Sequence, residues 1–245
     1  MALPSAESLR ALLLDLDDTI LDDRSGVRGA WQVVSRFTSS QVPELDETAL
    51  LAAIAAATRW YWSDAERERR GRLDLTSART AIVEAALAKL GRVDRPLAVE
   101  AARRYTEHRD RSYRLADGAV AALERLRSRF AHMALVTNGA ADTQRGKIER
   151  FSLAGFFDHI QVEGEFGLGK PEARVYEHVM TVLRVEPGQC LMVGDNYRAD
   201  VLGPLAVGMH AAWIDVDGRG RTPVEPPRPH GIVRSLAELA DRLGC

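Results

Sequence analysis

The chain alternates between short apolar runs and longer stretches in which apolar residues recur at helical spacing. Five apolar runs, bounded by Gly, Asp or Asn, predict buried strands, and a further short strand is predicted near the C-terminus. These strands are Ala11–Leu16, His132–Thr137, His159–Glu163, Gln189–Gly194, Ala211–Asp215 and Gly231–Arg234. Helical patterns lie between most of them, at Ala119–Phe130, Asp142–Phe151, Glu172–Leu183, Arg198–Val207 and Ser235–Leu243. This alternation predicts an α/β fold built on a parallel sheet.

A long helical stretch interrupts the alternation after the first strand. Residues 22–111 contain no convincing strand pattern, whereas helical spacing recurs in four segments. Those segments are Val27–Thr38, Glu47–Asp64, Ser77–Leu90 and Leu97–Tyr113. We therefore expect residues 22–111 to form a separate all-helical domain, inserted into a core made of residues 1–21 and 112–245. Four prolines between Ile214 and His230 predict a loop or extended segment there.

Two carboxylates stand at the end of the first predicted strand. Side chains alternate along a strand, so Asp15 and Asp17 are expected to point to one side at its C-terminal end. Open α/β sheets bind ligands at that end. Two carboxylates converging there repel each other unless a cation or a shared proton holds them, and Mg²⁺ suits such an all-oxygen site. The alternative interpretation is a strand end followed by solvated aspartates, which are common in turns.

Polar residues also follow the other predicted strands. Thr137 and Asn138 end the second strand in a tight turn whose backbone N–H groups can cradle phosphate oxygens. Lys170 precedes a predicted helix, with Pro171 expected in its first turn. Each feature alone is also compatible with an ordinary turn or a solvated lysine.

The fourth predicted strand ends in Asp195, and Asp200 follows in the next turn or the first helical turn. Asp195 is a candidate ligand for the cation, whereas Asp200 is expected to act through water or through Lys170. A helix-start residue favoured by the helix dipole is the alternative interpretation of Asp200.

These segments, taken in order, resemble the four motifs of the haloacid dehalogenase (HAD) superfamily. They are Asp15-Leu-Asp17-Asp18-Thr19, Thr137-Asn138-Gly139, Lys170-Pro171 and Gly194-Asp195-x-x-x-x-Asp200. The likeness covers the core, including Gln144, Lys147 and the Phe157-Asp158 turn. It implies a Rossmann-like parallel sheet core, and the helical insertion resembles the family's C1 type of cap.

The resemblance also implies an activity and a role for each residue. The chain would be a phosphoric monoester hydrolase in which Asp15 attacks phosphorus and Asp17 acts as general acid and base. Thr137, Asn138 and Lys170 would bind the phosphate. Mg²⁺ would be held by Asp15, by the Asp17 main-chain carbonyl and by Asp195, with Asp200 in support.

Several alternatives remain open at this point. A phosphomutase of the β-phosphoglucomutase type would share the motifs and the cap. A haloacid dehalogenase is disfavoured because its leaving group needs no proton from an aspartate at position 17. A non-catalytic HAD-like binding protein is disfavoured by the intact motif set. Nucleoside monophosphates, sugar phosphates and phosphoglycolate all remain candidate substrates.

The inserted domain adds a question about specificity. Trp60, Tyr61 and Trp62 lie among arginines and either form a face that binds the substrate or belong to a small core beside a solvated charged surface. Three consecutive helical residues cannot all face one pocket.

Composition and charge limit the kinds of partner and the cellular compartment that we expect. The 245 residues carry a formal net charge of -2, with 46% hydrophobic and 28% charged residues, so no nucleic-acid or membrane partner is expected. The two cysteines, Cys190 and Cys245, do not indicate a disulfide framework. No targeting segment or long apolar run is evident. We therefore expect a cytoplasmic protein, and the resemblance implies that its partner is a small phosphorylated metabolite.

Overall fold

The computed structural model describes residues 3–216, 218 and 227–245. The chain divides into two compact units, here called the core unit (Met1–Asp22 with Arg114–Cys245) and the helical unit (Asp23–Tyr113). Most of the predicted proline-rich loop falls at residues 217 and 219–226, outside the described residues.

The helical unit consists of five helices around one apolar core. They are α1 (Ser25–Gln41), α2 (Glu47–Trp62), α3 (Ala65–Leu73), α4 (Leu75–Lys89) and α5 (Arg95–Ser112). An aspartate side chain accepts a backbone hydrogen bond at the start of each of the last four helices. These N-cap residues are Asp46, Asp64, Asp74 and Asp94. Helix α3 was not predicted, because its sequence is charged on every side and the Asp64 cap defines its start.

A six-stranded parallel sheet lies at the centre of the core unit. Its order is β5-β4-β1-β6-β7-β8. The strands are β1 (Ala11–Leu14), β4 (His132–Thr137), β5 (His159–Val162), β6 (Cys190–Gly194), β7 (His210–Ile214) and β8 (Gly231–Val233). After β5 the chain crosses to the other side of β1, so the direction of strand addition reverses between β4 and β6. Ligands bind at such switch points in open α/β sheets.

Both faces of the central strand are buried, which explains its continuous apolar sequence. Leu12 and Leu14 pack into the core on one face of the sheet. Ala11 and Leu13 pack into a second cluster on the other face. Strand β1 ends at Leu14, two residues before the predicted end at Leu16.

A separate two-stranded antiparallel pair lies where the chain leaves and re-enters the core unit. Strands β2 (Leu21–Asp22) and β3 (Arg114–Leu115) pair Leu21 with Leu115 and Asp22 with Arg114. The Arg114 guanidinium also forms an ion pair with the Asp22 carboxylate at 2.7 Å.

Six helices accompany the sheet in the described part of the core unit. They are α6 (Ala119–Arg129), α7 (Ala141–Arg150), α8 (Glu163–Phe166), α9 (Ala173–Leu183), α10 (Gly203–Ala206) and α11 (Leu236–Arg242). Helix α9 begins at Ala173, so the prediction that Pro171 lies in its first turn is wrong. The Lys170–Pro171 peptide bond is cis.

The predicted helix Arg198–Val207 is divided in two. A π-helical turn, Tyr197–Leu202, precedes α10. Pro204 has no N–H, so it cannot donate to a carbonyl in the preceding turn. The Ala199 carbonyl instead accepts a hydrogen bond from the buried Tyr176 hydroxyl. The turn before Pro204 is therefore π-helical, which is wider than an α-helical turn.

Candidate active site

The ends of the three central strands bring the predicted polar residues to one edge of the sheet. Asp15 follows β1 directly, and its N–H donates to the Val193 carbonyl of β6 at 3.0 Å. Thr137 ends β4, and Asp195 follows β6. Because β1 lies between β4 and β6, these residues lie at neighbouring strand ends.

Lys170 lies between two buried carboxylates. Its Nζ is 2.7 Å from Asp15 Oδ1 and 2.7 Å from Asp200 Oδ1. All three side chains are buried. Burial alone lowers the pKa of the Lys170 ammonium, but the two carboxylates outweigh it and raise the pKa overall. Asp200 therefore contacts Lys170 directly, one of the two routes predicted for it.

Asn138 fixes the backbone of Lys170. The Asn138 side-chain oxygen accepts from the Lys170 N–H at 2.8 Å, and its NH₂ group donates to the Lys170 carbonyl at 2.8 Å. This two-way pairing joins the loop after β4 to the segment before α9. The Asn138 side chain is thus engaged with protein on both its oxygen and its NH₂ group.

Three carboxylates converge at this edge. Oxygen atoms of Asp15, Asp195 and Asp200 lie within 4.8 Å of one another. Burial raises the pKa of Asp15 well above its ordinary value; Lys170 opposes this, while Asp200 and Asp195 raise it further. A cluster of carboxylate oxygens with a surplus of negative charge fits a hard divalent cation such as Mg²⁺.

Gly194 makes this convergence possible. A Cβ at this position would lie 2.3 Å from Asp200 Oδ2 and 2.9 Å from Asp15 Cβ. No side chain other than hydrogen therefore fits between the two aspartates. The glycine at the end of β6 is a steric requirement of the carboxylate cluster.

Asp17 contacts a different set of residues. Its carboxylate accepts from Lys147 Nζ at 2.7 Å and from Gln144 Nε2 at 2.9 Å, both on α7. Gln144 Nε2 also donates to Thr137 Oγ1 at 2.5 Å. The left-handed φ of 56° at Asp18 shows that the chain turns here rather than continuing as a strand. The strict alternation expected for residues 15 and 17 therefore does not apply.

Sequence reasoning missed one buried carboxylate beside the site. Glu163 follows β5, and its Oε2 accepts from the Gly139 N–H at 2.9 Å. A Cβ on Gly169 would lie 2.4 Å from the Glu163 carboxylate. Glu163 thus lies against both the Gly139 turn and the segment that precedes Lys170. An acidic residue at the end of a buried apolar run was the available signal.

The aromatic segment of the helical unit is mainly structural. Tyr61 is buried, whereas Trp60 is half exposed, with the Arg67 guanidinium 4.4 Å from its ring centre. The exposed Arg69 and Arg70 both pair with Glu66. These contacts favour the alternative of a small core beside a solvated charged face.

Comparison with known proteins agrees with this geometry. The sequence model of the haloacid dehalogenase-like hydrolase family matches residues 9–208 of this chain. The chain belongs to this family. N-acylneuraminate-9-phosphatase of Mus musculus is 32% identical over 94% of this chain and 92% of its own length. Phosphoserine phosphatase of Thermus thermophilus is 34% identical over 89% of this chain and 92% of its own. The family and enzyme class predicted from the sequence, HAD-type phosphoric monoester hydrolase, are confirmed.

The solved structures confirm the fold. The HAD-hydrolase YfnB of Bacillus subtilis superimposes with a TM-score of 0.75, at 24% identity, over 97% of this chain and 99% of its own. The predicted α/β class with a Rossmann-like parallel sheet is therefore correct. Among the described residues, no helix has the length and apolar character needed to cross a bilayer.

Proposed function

We propose that this protein is a Mg²⁺-dependent phosphatase that hydrolyses a small phosphorylated metabolite through an aspartyl-phosphate on Asp15. The observation that carries the proposal is the buried group at the switch point of the sheet. There the Lys170 ammonium contacts the Asp15 and Asp200 carboxylates at 2.7 Å, and an Asp195 carboxylate oxygen lies within 4.8 Å of both. Such a group provides a nucleophile, a cation for the phosphate and oxygen ligands for a metal.

Two chemical steps follow from this arrangement. Asp15 Oδ attacks phosphorus while the bond to the ester oxygen breaks, and Asp17, which enters this step as the protonated carboxylic acid, gives that oxygen its proton. Asp17 then removes a proton from water as the water attacks phosphorus, which releases phosphate and regenerates the Asp15 carboxylate. Lys147 and Gln144 hold the Asp17 carboxylate in position for both transfers.

The charge balance explains the remaining residues. Lys170 offsets part of the negative charge of Asp15 and of the incoming phosphate, and the Asn138 pairing fixes the backbone that carries it. Thr137 and the backbone N–H of Asn138 bind the phosphate oxygens. Asp15, the Asp17 main-chain carbonyl and Asp195 would hold Mg²⁺, with Asp200 in support through Lys170. When bound, Mg²⁺ would reduce the repulsion between a carboxylate nucleophile and an anionic ester.

The relatives support the same general activity. Their names include an N-acylneuraminate-9-phosphatase, a phosphoserine phosphatase and a glyceraldehyde 3-phosphate phosphatase. The family thus acts on several small phosphate esters, and YfnB has been solved bound to magnesium. We propose that the helical unit acts as a cap that contributes to the choice among such substrates.

The test is phosphate release from a panel of phosphorylated metabolites, with Mg²⁺ or with EDTA. We expect release from wild type only with Mg²⁺, none from Asp15→Asn, and unchanged release from Asp142→Asn. Asp142 is an exposed aspartate in the first turn of α7 and serves as the matched control. Release by Asp15→Asn at the wild-type rate would show that Asp15 is not the nucleophile.

A second assay addresses the intermediate. p-Nitrophenyl phosphate has a leaving group that needs no proton, so Asp17→Asn should still be phosphorylated by it but should hydrolyse the intermediate slowly. Mass spectrometry after acid quenching should then find one phosphoryl group on the peptide that contains Asp15. Phosphorylation at another residue would contradict the mechanism.

A further inference from the structure

The guanidinium group of Arg79 is buried, and few described groups compensate its positive charge. It lies on α4 of the helical unit and is 8% exposed. Its Nη1 donates to Thr106 Oγ1 at 2.8 Å, and its Cζ lies 4.8 Å from the centre of the Tyr105 ring. Among the described residues, no carboxylate pairs with it. A buried charge without a counter-ion is costly, so this arrangement calls for an explanation.

Arg109 shows how the same unit compensates another buried guanidinium group. Arg109 of α5 is 3% exposed and forms an ion pair with the Asp23 carboxylate at 2.7 Å. Arg79 packs against the Tyr105 ring, and Arg109 lies one helical turn after Tyr105 on α5. The Asp23 carboxylate thus compensates Arg109, whereas no described carboxylate forms an ion pair with Arg79.

Arg79 keeps donors that no described residue uses. A guanidinium has five N–H donors, and one of them is engaged by Thr106. The Thr106 hydroxyl is itself committed, because it donates to the Ala102 carbonyl at 3.0 Å. None of the Arg79 nitrogens is both fully buried and without a hydrogen-bond partner. The remaining donors therefore reach accessible space.

Tyr105 adds a second donor beside Arg79. Its ring is fixed by Trp31, with ring centres 4.2 Å apart. Burial raises the pKa of its hydroxyl, which is partly offset by Arg109 and Arg79, so it stays a protonated donor at neutral pH. Among the described residues, none forms a hydrogen bond with this hydroxyl.

We propose that Arg79 and the Tyr105 hydroxyl form a carboxylate-binding subsite within the helical unit. The single positive charge of Arg79, which has no described ion-pair partner, matches one carboxylate, whereas a phosphate dianion would leave a negative charge uncompensated. The planar fork of a guanidinium also fits the two oxygens of a carboxylate. The ligand is the carboxylate of the phosphorylated substrate or a separate small carboxylic acid, and the substrate case rests on the proposed phosphatase function.

The first experiment separates these sources by kinetics. O-Phosphoserine and O-phosphoethanolamine differ by one carboxylate, so they form a matched substrate pair. If the carboxylate belongs to the substrate, Arg79→Gln should raise KM for phosphoserine by roughly 10- to 100-fold and leave phosphoethanolamine unchanged. Arg103→Gln, an exposed arginine of α5 paired with Glu100, should change neither value.

The second experiment uses acetate as the probe and needs no catalysis. Acetate added at constant ionic strength should shift the Nε–H resonance of Arg79 in a saturable way, and chloride should not. Tyr105→Phe keeps the ring and removes only the hydroxyl, so it should weaken acetate binding several-fold. It also serves if Arg79→Gln fails to fold.

The outcomes are distinct. Saturable acetate binding at Arg79 together with the selective change in KM supports a substrate subsite. Acetate binding without that change supports a separate carboxylic acid ligand. If acetate causes no saturable shift and the two substrates respond equally to Arg79→Gln, the proposal is overturned. If no phosphate ester is hydrolysed but acetate still binds, the proposed function fails while the subsite stands.

Discussion

Replacing Asp15 by asparagine should stabilise the metal-free protein while abolishing its activity. Asp15, Asp195 and Asp200 have oxygen atoms within 4.8 Å of one another, and the Lys170 ammonium lies between Asp15 and Asp200. At an effective dielectric constant of about 20, each pair of carboxylates at that distance repels by about 3.5 kcal/mol. The Asp15–Lys170 attraction at 2.7 Å is about 6 kcal/mol on the same scale. The two repulsions involving Asp15 thus slightly exceed its attraction to Lys170.

Burial adds to this imbalance. The desolvation of a buried carboxylate costs a further few kcal/mol, part of which an asparagine also incurs because its amide is polar. We therefore expect Asp15→Asn to raise the free energy of unfolding by about 1–3 kcal/mol at pH 8 in EDTA. Lys170 would then form a one-to-one pair with Asp200.

The pH dependence has a definite sign. Burial raises the pKa of Asp15 in the folded protein, so the unfolded chain ionises first as pH rises. The wild type therefore loses stability between the ordinary carboxyl pKa and the raised one, whereas the variant does not. The difference between the two proteins should be smallest near pH 4 and largest at pH 8.

The assay is urea unfolding monitored by the hydrogen exchange of amides in β1 and β6, because these amides report on the core unit. Asp142→Asn is the control for a charge change at an exposed position. Mg²⁺ at about 1,000 times its Kd should reverse the order, because it then stabilises the wild type by about 4.1 kcal/mol. A variant less stable than wild type at pH 8 in EDTA, or a difference independent of pH, would refute the electrostatic reasoning.

Three further predictions test individual contacts. Lys147→Met should lower kcat by roughly 10- to 100-fold with little change in KM, since Asp17 loses its 2.7 Å partner, and steady-state kinetics with Lys147→Arg as a partial rescue checks this. Gly194→Ala should abolish activity and lower the free energy of unfolding by about 1–3 kcal/mol. In Gly146→Ala, the control, the added Cβ would meet no atom within 4 Å, so urea unfolding should show no change or a stabilisation of up to about 1 kcal/mol. Tyr176→Phe should lower the free energy of unfolding by about 1–3 kcal/mol, because a buried carbonyl loses its donor. Thermal and urea unfolding should show a smaller loss in a Pro204→Ala background, where a backbone N–H is restored.

The sheet was predictable because burial on both faces leaves a simple signature. Ala11 and Leu13 pack on one face and Leu12 and Leu14 on the other, so the strand reads as an unbroken apolar run. Helix α3 has no apolar stripe, and periodicity therefore gave no signal for it. The local indications were the capping aspartate at its start, the acidic residues of its first turn and the basic residues of its last turn.

The candidate site was predictable in its residue types but not in its pairings. The positions of Asp15 and Asp195 follow from strand ends in a parallel sheet. The contact between Asp17 and Lys147 joins residues 130 apart in sequence, and no local pattern predicts it, although the resemblance extended to Lys147. The two hydrogen bonds between Asn138 and Lys170 likewise join residues that are distant in the sequence. Such pairings depend on tertiary packing, which a single sequence does not state.

The short antiparallel pair of β2 and β3 gives the insertion the properties of an exchangeable module. Asp22 and Arg114 lie opposite each other, so the chain departs and returns about 5 Å apart. A two-residue Asn-Gly turn is long enough to join them as a hairpin. An ancestor could therefore gain, lose or trade the whole segment in a single recombination event without shifting the register of any strand in the parallel sheet. Diversification of specificity in such a protein requires no redesign of its chemistry.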